Sequence, residues 1–342
     1  MKALALLSGG LDSTLAIKVV QEAGIEVEAI NFTSPFCRCS GSSGGCGAAA
    51  TAAKQLNVKL HYYGCGEEYL RLVEHPPHGY GRRMNPCLDC RIYKFSLAKQ
   101  KMDEIGASFL ITGEVLDQRP NSQRRDAMDI IDRDSGLRGL ILRPLCAKHL
   151  PPSLAEEKGW IDREKLLDIK GRGRTQQIEL AESFGIKDYP CAGGGCLLTY
   201  EEYSLKVRDL VKFEGGLKFN TVNLLRYGRH LRLSPDVKII VGKDLAENEQ
   251  LKQLASPQDL ILELADYPGP STLYHGPVSP ESLQLAAAIA AGFSNAPVEE
   301  LTRVNVLSSH LQPAEVQVKP LPRTAIRPYF IYGVDNISKN PE

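Results

Sequence analysis

Near its start the chain carries a turn that leaves little freedom in how the surrounding residues can fold. Residues 8 to 13, Ser-Gly-Gly-Leu-Asp-Ser, follow the apolar run Ala3-Leu4-Ala5-Leu6-Leu7. They precede Thr14-Leu15-Ala16-Ile17-Lys18-Val19-Val20, in which apolar residues recur at helical spacing. A strand, a glycine turn and a helix start are predicted in that order. Gly9 and Gly10 let the backbone bend tightly with no side chain in the way, so successive N–H groups and the positive helix end can face an anion. The loop therefore reads as a phosphate cradle, with Ser8 and Ser13 bonding phosphate oxygens and Asp12 holding Mg²⁺ on them. No lysine follows the glycines, which separates it from the Gly-x-x-x-x-Gly-Lys-Ser/Thr loop. The plainer alternative is an ordinary strand-to-helix turn with a serine cap.

The rest of the first half repeats this βα pattern. Strands are predicted at 26–32, 58–63, 108–114 and 139–145, with helices at 47–56 and 95–105 between them. Alternation of this kind implies a mostly parallel sheet covered on both faces, with ligands at the carboxyl ends of its strands. Residues 151–189 read as connecting helices over Ile161–Ile169 and Thr175–Phe184. At 342 residues, 43% of them apolar and 24% charged, the chain can bury one full core and leave material for a second. No apolar run approaches a membrane span, and the N-terminus reads as the first strand rather than a cleavable signal. A cytoplasmic location without membrane partners is expected.

Lys and Arg total 41, as do Asp and Glu, so the whole-molecule field does not draw in nucleic acid and any RNA binding must use local basic patches. Candidates are Arg82-Arg83 with Arg91 and Lys94, Arg124-Arg125, Lys170 with Arg172 and Arg174, and Arg226 with Arg229 and Arg232. Each can equally be a solvated surface.

Nine cysteines call for a reading by spacing, because disulfides are disfavoured in a reducing compartment. Cys87-Leu88-Asp89-Cys90 puts two thiolates within reach of one metal or cluster. Cys191-Ala192-Gly193-Gly194-Gly195-Cys196 offers one or two more ligands with little side-chain bulk between them. A redox or persulfide pair, an iron–sulfur cluster and a structural zinc all fit this spacing. Cys37, Cys39 and Cys46 lie on a polar loop, where they could bind a second metal, shuttle a persulfide or be exposed thiols. Cys65 and Cys146 read as core cysteines.

Several motifs together carry a resemblance. SGGLDS is similar to the PP-loop of the N-type ATP pyrophosphatases, which attack a carbonyl oxygen on the α-phosphate of ATP. Asn85-Pro86-Cys87-Leu88-Asp89-Cys90-Arg91-Ile92-Tyr93-Lys94-Phe95 and Gly195-Cys196-Leu197 resemble segments of the PP-loop tRNA 2-thiouridylases, and Arg143-Pro144-Leu145 resembles the Arg-Pro-Leu strand of the 4-thiouridine synthases. The resemblance covers about residues 1 to 205. It implies an α/β fold with a doubly wound, mostly parallel sheet of the adenine nucleotide α-hydrolase type. ATP would bind at Ser8, Gly9, Gly10, Leu11, Asp12 and Ser13, and tRNA would be the substrate. Arg91 stands where the 2-thiouridylases commonly have asparagine, and Cys87 completes a Cys-x-x-Cys. Both departures are similar to the cluster-dependent sulfurtransferases, in which three cysteines bind a [4Fe-4S] cluster. Carried over, the resemblance implies Cys87, Cys90 and Cys196 as ligands, with Cys191 as the substitute, and Asp12 as the catalytic Mg²⁺ ligand.

The second half changes character near Phe213-Glu214-Gly215-Gly216, which sets domains at 1–212 and 213–342. A strand at 237–243, a helix at 245–254, a strand near 259–265 and a helix at 279–293 make a smaller α+β domain. Ile240-Val241-Gly242-Lys243, Glu247-Asn248-Glu249 and Asp266-Tyr267-Pro268-Gly269 resemble the NFACT-R RNA-binding domain over about residues 220 to 295. Without that resemblance the domain is a small module that pairs two chains as a homodimer.

The resemblances imply an ATP-dependent tRNA sulfurtransferase that adenylylates a uridine carbonyl and replaces its oxygen with sulfur from sulfide or a persulfide carrier. Lys94 and Arg143 would contact phosphate or tRNA. Two rivals are a cluster-dependent desulfidase of thiolated nucleobases and a PP-loop ligase or amidotransferase acting on a small molecule.

Overall fold

The computed structural model describes residues 1–38, 46–189, 195–309 and 312–332. It divides into two compact units between Thr199 and Tyr200. The first is a βα assembly of β1 (Lys2–Leu6), α1 (Leu11–Glu22), β2 (Glu26–Thr33), α2 (Gly47–Gln55), β3 (Leu60–Gly64) and α3 (Glu67–Glu74). It continues through α4 (Cys87–Ile105), β4 (Phe109–Ile111), α5 (Arg125–Asp134), β5 (Ile141–Leu142), α6 (Leu154–Glu157) and α7 (Thr175–Ser183).

Its sheet has the order β3-β2-β1-β4-β5 with every pairing parallel. Apolar residues at both parities of β1 explain its central place: Ala3, Leu4 and Ala5 are all fully buried. On one face Ala3, Ala5, Val27 and Phe109 meet Leu15 and Val19 of α1 and Ala49 and Ala52 of α2. On the other, Leu4, Ile30 and Leu110 meet Phe95, Ala98 and Met102 of α4 and Ile131 of α5. The chain leaves β1 for one side and β4 lies on the other, so the sheet reverses winding direction between them. That is where a doubly wound sheet opens its binding crevice.

The helix expected over Ile161–Ile169 does not form. Arg163–Lys165 makes one 3-10 turn, capped by Asp162, whose carboxylate accepts from Glu164 N at 3.0 Å. Beyond it Leu167 N donates to Pro144 O and Ile169 N to Leu145 O, both at 2.9 Å. The segment thus runs extended beside the chain leaving β5 and buries Leu166 and Ile169 there. Sheet-edge hydrogen bonds have replaced helical ones for the same apolar residues.

The second, smaller unit contains α8 (Glu201–Phe213), α9 (Phe219–Leu224), β6 (Arg229–Ser234), β7 (Val237–Val241) and α10 (Leu245–Leu254). These are followed by β8 (Leu260–Leu264), β9 (Thr272–His275), α11 (Pro280–Gly292), β10 (Thr302–Leu307), β11 (Ala314–Val318) and α12 (Arg323–Ile326). Its six strands pair antiparallel in the order β11-β10-β8-β9-β7-β6. α11 starts with Ser279 as cap and Pro280 in its first turn, and lays Ala286, Ala287 and Ile289 on Leu231, Ile239 and Leu262. The opposite face packs Ile240 and Leu273 against Leu224 of α9 and Leu251 of α10.

Glu28 on β2 is a buried carboxylate held at 2.9 Å by Lys2 Nζ and at 2.7 Å by His61 Nε2 across three adjacent strands. Hydrogen bonds from His61 and then Lys2 hold its pKa down at about 2, against an ordinary 4.5. The resulting stabilisation is complete above about pH 4.5 and is lost as pH falls through about 2. Glu28→Gln is expected to cost about 1 kcal/mol at pH 7. Unfolding curves should show the gap between variant and wild type narrowing steadily below pH 4.5.

Candidate active site

The turn after β1 has the form its sequence predicts. Gly9 has φ of +78°, and a Cβ there would lie 2.4 Å from Ala48 C. Ser8 Oγ and Ser13 Oγ are 3.0 Å apart, Ser13 Oγ donates to Gly10 O at 2.9 Å, and Thr14 N closes the first helical turn on Gly10 O. α1 thus presents its N-terminus, unobstructed by side chains, at the crevice between β1 and β4. Asp12 sits in its first turn. One carboxylate oxygen, Oδ2, is 3.4 Å from Arg174 Nη2, while the buried Oδ1 has no hydrogen-bond partner among the described residues. A buried acceptor left unmatched beside an anion cradle suits a cation.

The chain leaving β4 closes the same crevice. A Cβ on Gly113 would meet Ser13 N at 2.5 Å and Asp12 C at 2.6 Å, so only glycine permits this approach. The neighbouring Glu114 is buried and answers two arginines: Arg143 Nε at 2.9 Å and Arg91 Nη1 at 2.9 Å. Burial alone would raise its pKa, but Arg91 and Arg143 reverse that and leave it lowered. Arg143 also forks onto Asp132, at 2.8 and 2.6 Å. It is therefore a buried structural clamp between β5, α5 and the β4 turn, and the expectation that it contacts phosphate or tRNA is corrected. Exposed Arg119 lies within electrostatic range of Asp12, Cys87, Arg91 and Arg174, so positive charge surrounds the space between the phosphate loop and the start of α4.

α4 starts at Cys87, well before the predicted Phe95, which puts Cys87 and Cys90 one turn apart at a helix N-terminus. Asn85-Pro86 sets the turn: Cys87 N donates to Asn85 O at 3.0 Å and Cys90 N to Pro86 O at 2.8 Å. Asp89, 3% exposed, binds His78 Nδ1 at 2.7 Å and fixes the preceding loop. Cys87 borders a cavity of about 150 Å³ shared with His78, Tyr80, Leu88, Pro120 and Arg124. Burial raises the Cys87 thiol, with Arg91 opposing.

Cys90 accepts a hydrogen bond from buried Tyr69 Oη at 3.1 Å. The later segment reaches this point through Met84 N to Leu198 O at 3.3 Å and Leu197 N to Phe36 O at 2.9 Å. Burial, and then the charge of Cys90, push the Cys196 thiol up to about 12. Burial also pushes Cys65 up to about 12, and Cys90 and Cys37 are among its neighbours. Lys94 Nζ lies 5.9 Å from the Tyr69 ring centre and feels Cys90, Cys37 and Cys65. It faces this sulfur group, which the basic-patch reading of Lys94 did not anticipate. The thiols thus gather near an ammonium and a phenol, but among the described residues no three His, Cys, Asp or Glu side chains are grouped closely enough to hold a metal ion.

The structure therefore brings Cys90 and Cys196 together, with Cys87 one turn away on Cys90's helix, and places Asp12 in the phosphate loop. Cys191 and Cys39 lie outside the described residues. Cys146 is buried, with Sγ 3.3 Å from Glu114 O, and Cys65 is 4% exposed, as expected for core cysteines. Cys46 is packed in the core at the start of α2, which excludes it as an exposed thiol. Sequence reasoning did not find the pairing of Cys37 with Cys196 as opposed residues of an antiparallel bridge, nor the Arg91–Glu114–Arg143–Asp132 chain. In the second unit Arg232 is committed to Asp209 and Glu214, so its patch loses that member. Arg229 and Arg323 both lie over Phe293, at 5.0 and 5.7 Å from the ring centre.

Residues 1–134 match the family model of the tRNA methyl transferase HUP domain, and residues 228–330 match that of the NFACT protein RNA binding domain. The first unit resembles tRNA-thiolating enzymes, and the second resembles NFACT RNA-binding domains. Over 119 residues the chain is 31% identical to the tRNA-specific 2-thiouridylase MnmA of Pelobacter propionicus, which is 33% of each protein. Over 185 residues it is 29% identical to the probable tRNA sulfurtransferase of Ureaplasma parvum, covering 52% of this chain and 42% of the relative. The chain thus spans between a third and about two fifths of the length of these relatives. Among solved structures, a 4-thiouridine synthetase bound to RNA and ATP aligns with a TM-score of 0.35 at 21% identity, over 54% of this chain and 41% of that one. The U34-tRNA thiolase NcsA of Methanococcus maripaludis, with its [4Fe-4S] cluster, aligns with 0.34 at 22%, over 66% and 71%. The NFACT match extends beyond the predicted 220–295 to include β10, β11 and α12.

Gly113→Ala tests the crevice of the HUP-like unit. The added methyl group is expected to displace the first turn of α1 and weaken ATP binding about tenfold or more by calorimetry, with melting lowered by only a few degrees. Unchanged ATP affinity would mean that the phosphate loop tolerates the shift.

Proposed function

We propose that this chain is an ATP-dependent tRNA sulfurtransferase that activates a uridine carbonyl with ATP and replaces its oxygen with sulfur. The observation that carries the reading is that one unit holds both a phosphate loop and a thiol set, joined by Arg91 and Arg119. The loop's N–H groups would bind ATP phosphates, and Ser8 and Ser13 would orient them. Asp12 would hold Mg²⁺, for which its unmatched Oδ1 is suited. As the uridine oxygen attacks the α-phosphate, pyrophosphate leaves, and the Gly9 and Gly10 amides, the latter released from Ser8 Oγ, would join the α1 N-terminus in stabilising the charge that accumulates. Sulfur then attacks the activated carbon and AMP departs with the oxygen.

Cys87, Cys90 and Cys196 are the residues that would hold a [4Fe-4S] cluster, with Cys191 as alternative third ligand. Bound there, a cluster would supply a thiophilic site from which hydrosulfide reaches the uridine. Lys94 and Tyr69 would offset and orient the charge of the cysteine sulfurs, while Arg91 and Arg119 draw the nucleotide toward them. A second reading, direct attack by a persulfide on Cys196, is favoured by Cys37 standing directly opposite that residue. The second unit would capture tRNA, consistent with its RNA-binding relatives, and the sulfur donor would be sulfide or a persulfide carrier. Cytoplasmic action fits this substrate; no helix among the described residues is long and apolar enough to cross a membrane.

Thionucleoside analysis of tRNA incubated with ATP and a sulfur source tests the reading. Asp12→Asn is expected to abolish tRNA-dependent pyrophosphate release, by about a hundredfold or more. Cys196→Ser should retain pyrophosphate release yet form no thionucleoside, and full thiolation by that variant would overturn the assignment. Arg323 is exposed and has no ion pair among the described residues. Arg323→Ala is expected to weaken tRNA binding across sequences and reduce the salt slope by about one.

A further inference from the structure

We propose that the second unit carries a phosphate-binding site: the cavity among the residues that end α8, lead into α9 and end β9 takes one phosphorylated nucleotide, either free or at an end of RNA. The RNA case rests on the proposed capture of tRNA by this unit, whereas the phosphate site itself does not.

The site follows from strand register. β8 and β9 pair antiparallel with Leu260 opposite Tyr274, so Asp259 and His275 come side by side at the next position. Asp259 is buried; one of its oxygens accepts from Ser256 N at 2.7 Å and the other takes His275 Nδ1 at 2.6 Å. That bond commits Nδ1 to Asp259 and leaves Nε2 as the ring nitrogen that serves the cavity, which His275 lines. The hydrogen bond to Asp259 outweighs burial and raises the imidazole pKa above its ordinary 6.5; Glu214 adds to this and Lys238, opposite His275 on β7, opposes it. The imidazolium form, whose Nε2–H donates, is thereby favoured.

The cavity, of about 280 Å³, is also lined by Glu214, Lys218, Asn220, Ser256 and Gln258, and by no Phe, Tyr or Trp among the described residues. It thus offers hydrogen-bond donors rather than a surface on which a base stacks. Lys218 is exposed and has no ion pair among the described residues. Glu214, the carboxylate of the lining, is already answered by Arg232 Nη2 at 2.9 Å and Lys238 Nζ at 3.6 Å. With that charge countered, Lys218, His275 and the neutral donors of Asn220, Ser256 and Gln258 converge on one space, and a phosphate, with several acceptor oxygens and negative charge, is the group that answers them together. Size sets the rest. The cavity is far larger than the roughly 30 Å³ share of one water and lies just under the roughly 300–1,000 Å³ of small-molecule sites. That matches one nucleotide, so the phosphate it takes is an end group rather than one inside a continuous strand.

Calorimetry on the full chain tests the proposal, with UMP as the probe and uridine as its phosphate-free control. UMP is expected to bind and uridine not to, and Lys218→Gln and His275→Gln are each expected to weaken UMP about tenfold. Lys218 is exposed, so its variant reports on binding even where loss of the Asp259 partner unfolds His275→Gln. Failure of UMP to bind, equal binding of uridine, or UMP binding that Lys218→Gln leaves unchanged overturns the proposal. A second arm compares tRNA bearing its 5′-phosphate with the same tRNA after phosphatase treatment. A preference for the phosphorylated form that Lys218→Gln removes assigns the site to an RNA end, whereas equal affinity for the two forms, with UMP bound, assigns it to a free nucleotide. If neither form of tRNA binds, capture of tRNA by this unit fails, while the UMP result decides the phosphate site by itself.

Discussion

The contact on which the first unit depends is the approach of the β4 turn to the phosphate loop. Gly113 stands so close to Ser13 N and Asp12 that a side chain cannot fit. This proximity keeps the crevice between β1 and β4 narrow and fixes the first turn of α1. Buried Glu114, the next residue, then extends that rigidity outward. Through Arg143 it ties the turn to β5 and α5, and through Arg91 it reaches the first turns of α4, where Cys87 and Cys90 lie. The loop after β1 and the first turns of α4 are thereby linked through one close backbone approach and a set of ion pairs. Breaking one partner of such a buried set leaves an uncompensated charge, so its parts hold together or fail together.

The cysteines depend on a different device. Three separate chain segments, at Cys37, at Cys87 to Cys90 and at Cys196, are joined by a few backbone hydrogen bonds rather than by a sheet. Met84 to Leu198 and Leu197 to Phe36 supply the fixed points. Tyr69 fills the space beneath and donates to Cys90. Electrostatics complete the arrangement: buried thiols resist ionisation, as the raised pKa of Cys196 shows, and a cation or a helix N-terminus must offset that cost. Lys94 lies close enough to contribute.

Much of the fold was legible because its signals are local. The apolar run of β1, the two glycines and the helical spacing after them each fit a single element, and together they set the parallel sheet and its crevice. Cys87, Cys90 and Cys196 were singled out from spacing and resemblance, and their joint role is a proposal. α3 and α5 were not legible, since most residues of α5 are charged and read as loop, although its buried Ala127, Met128 and Ile131 share one helical face. Ile161–Ile169 misled for the opposite reason, its period being satisfied by an extended segment against residues 144 and 145. In the second unit β6, β9, β10 and β11 went unread, although β10 alternates buried and more exposed residues as an antiparallel strand with one solvated face does. Arg143 and Arg232 read as surface cations because sequence shows charge but not the carboxylates that will face it. Cys37 was seen as part of a loop, and nothing in its spacing reveals a partner at Cys196.

The most direct test of the account is the stoichiometry of one reaction: AMP, pyrophosphate and thionucleoside measured together on unmodified tRNA under anaerobic conditions. The account predicts that the three appear in equal amounts and only when ATP, tRNA and a sulfur source are all present. ATP cleavage with no thionucleoside would support a small-molecule ligase, and loss of sulfur from thiolated tRNA without ATP would support a desulfidase. Either result would contradict the joined action of the phosphate loop and the thiols.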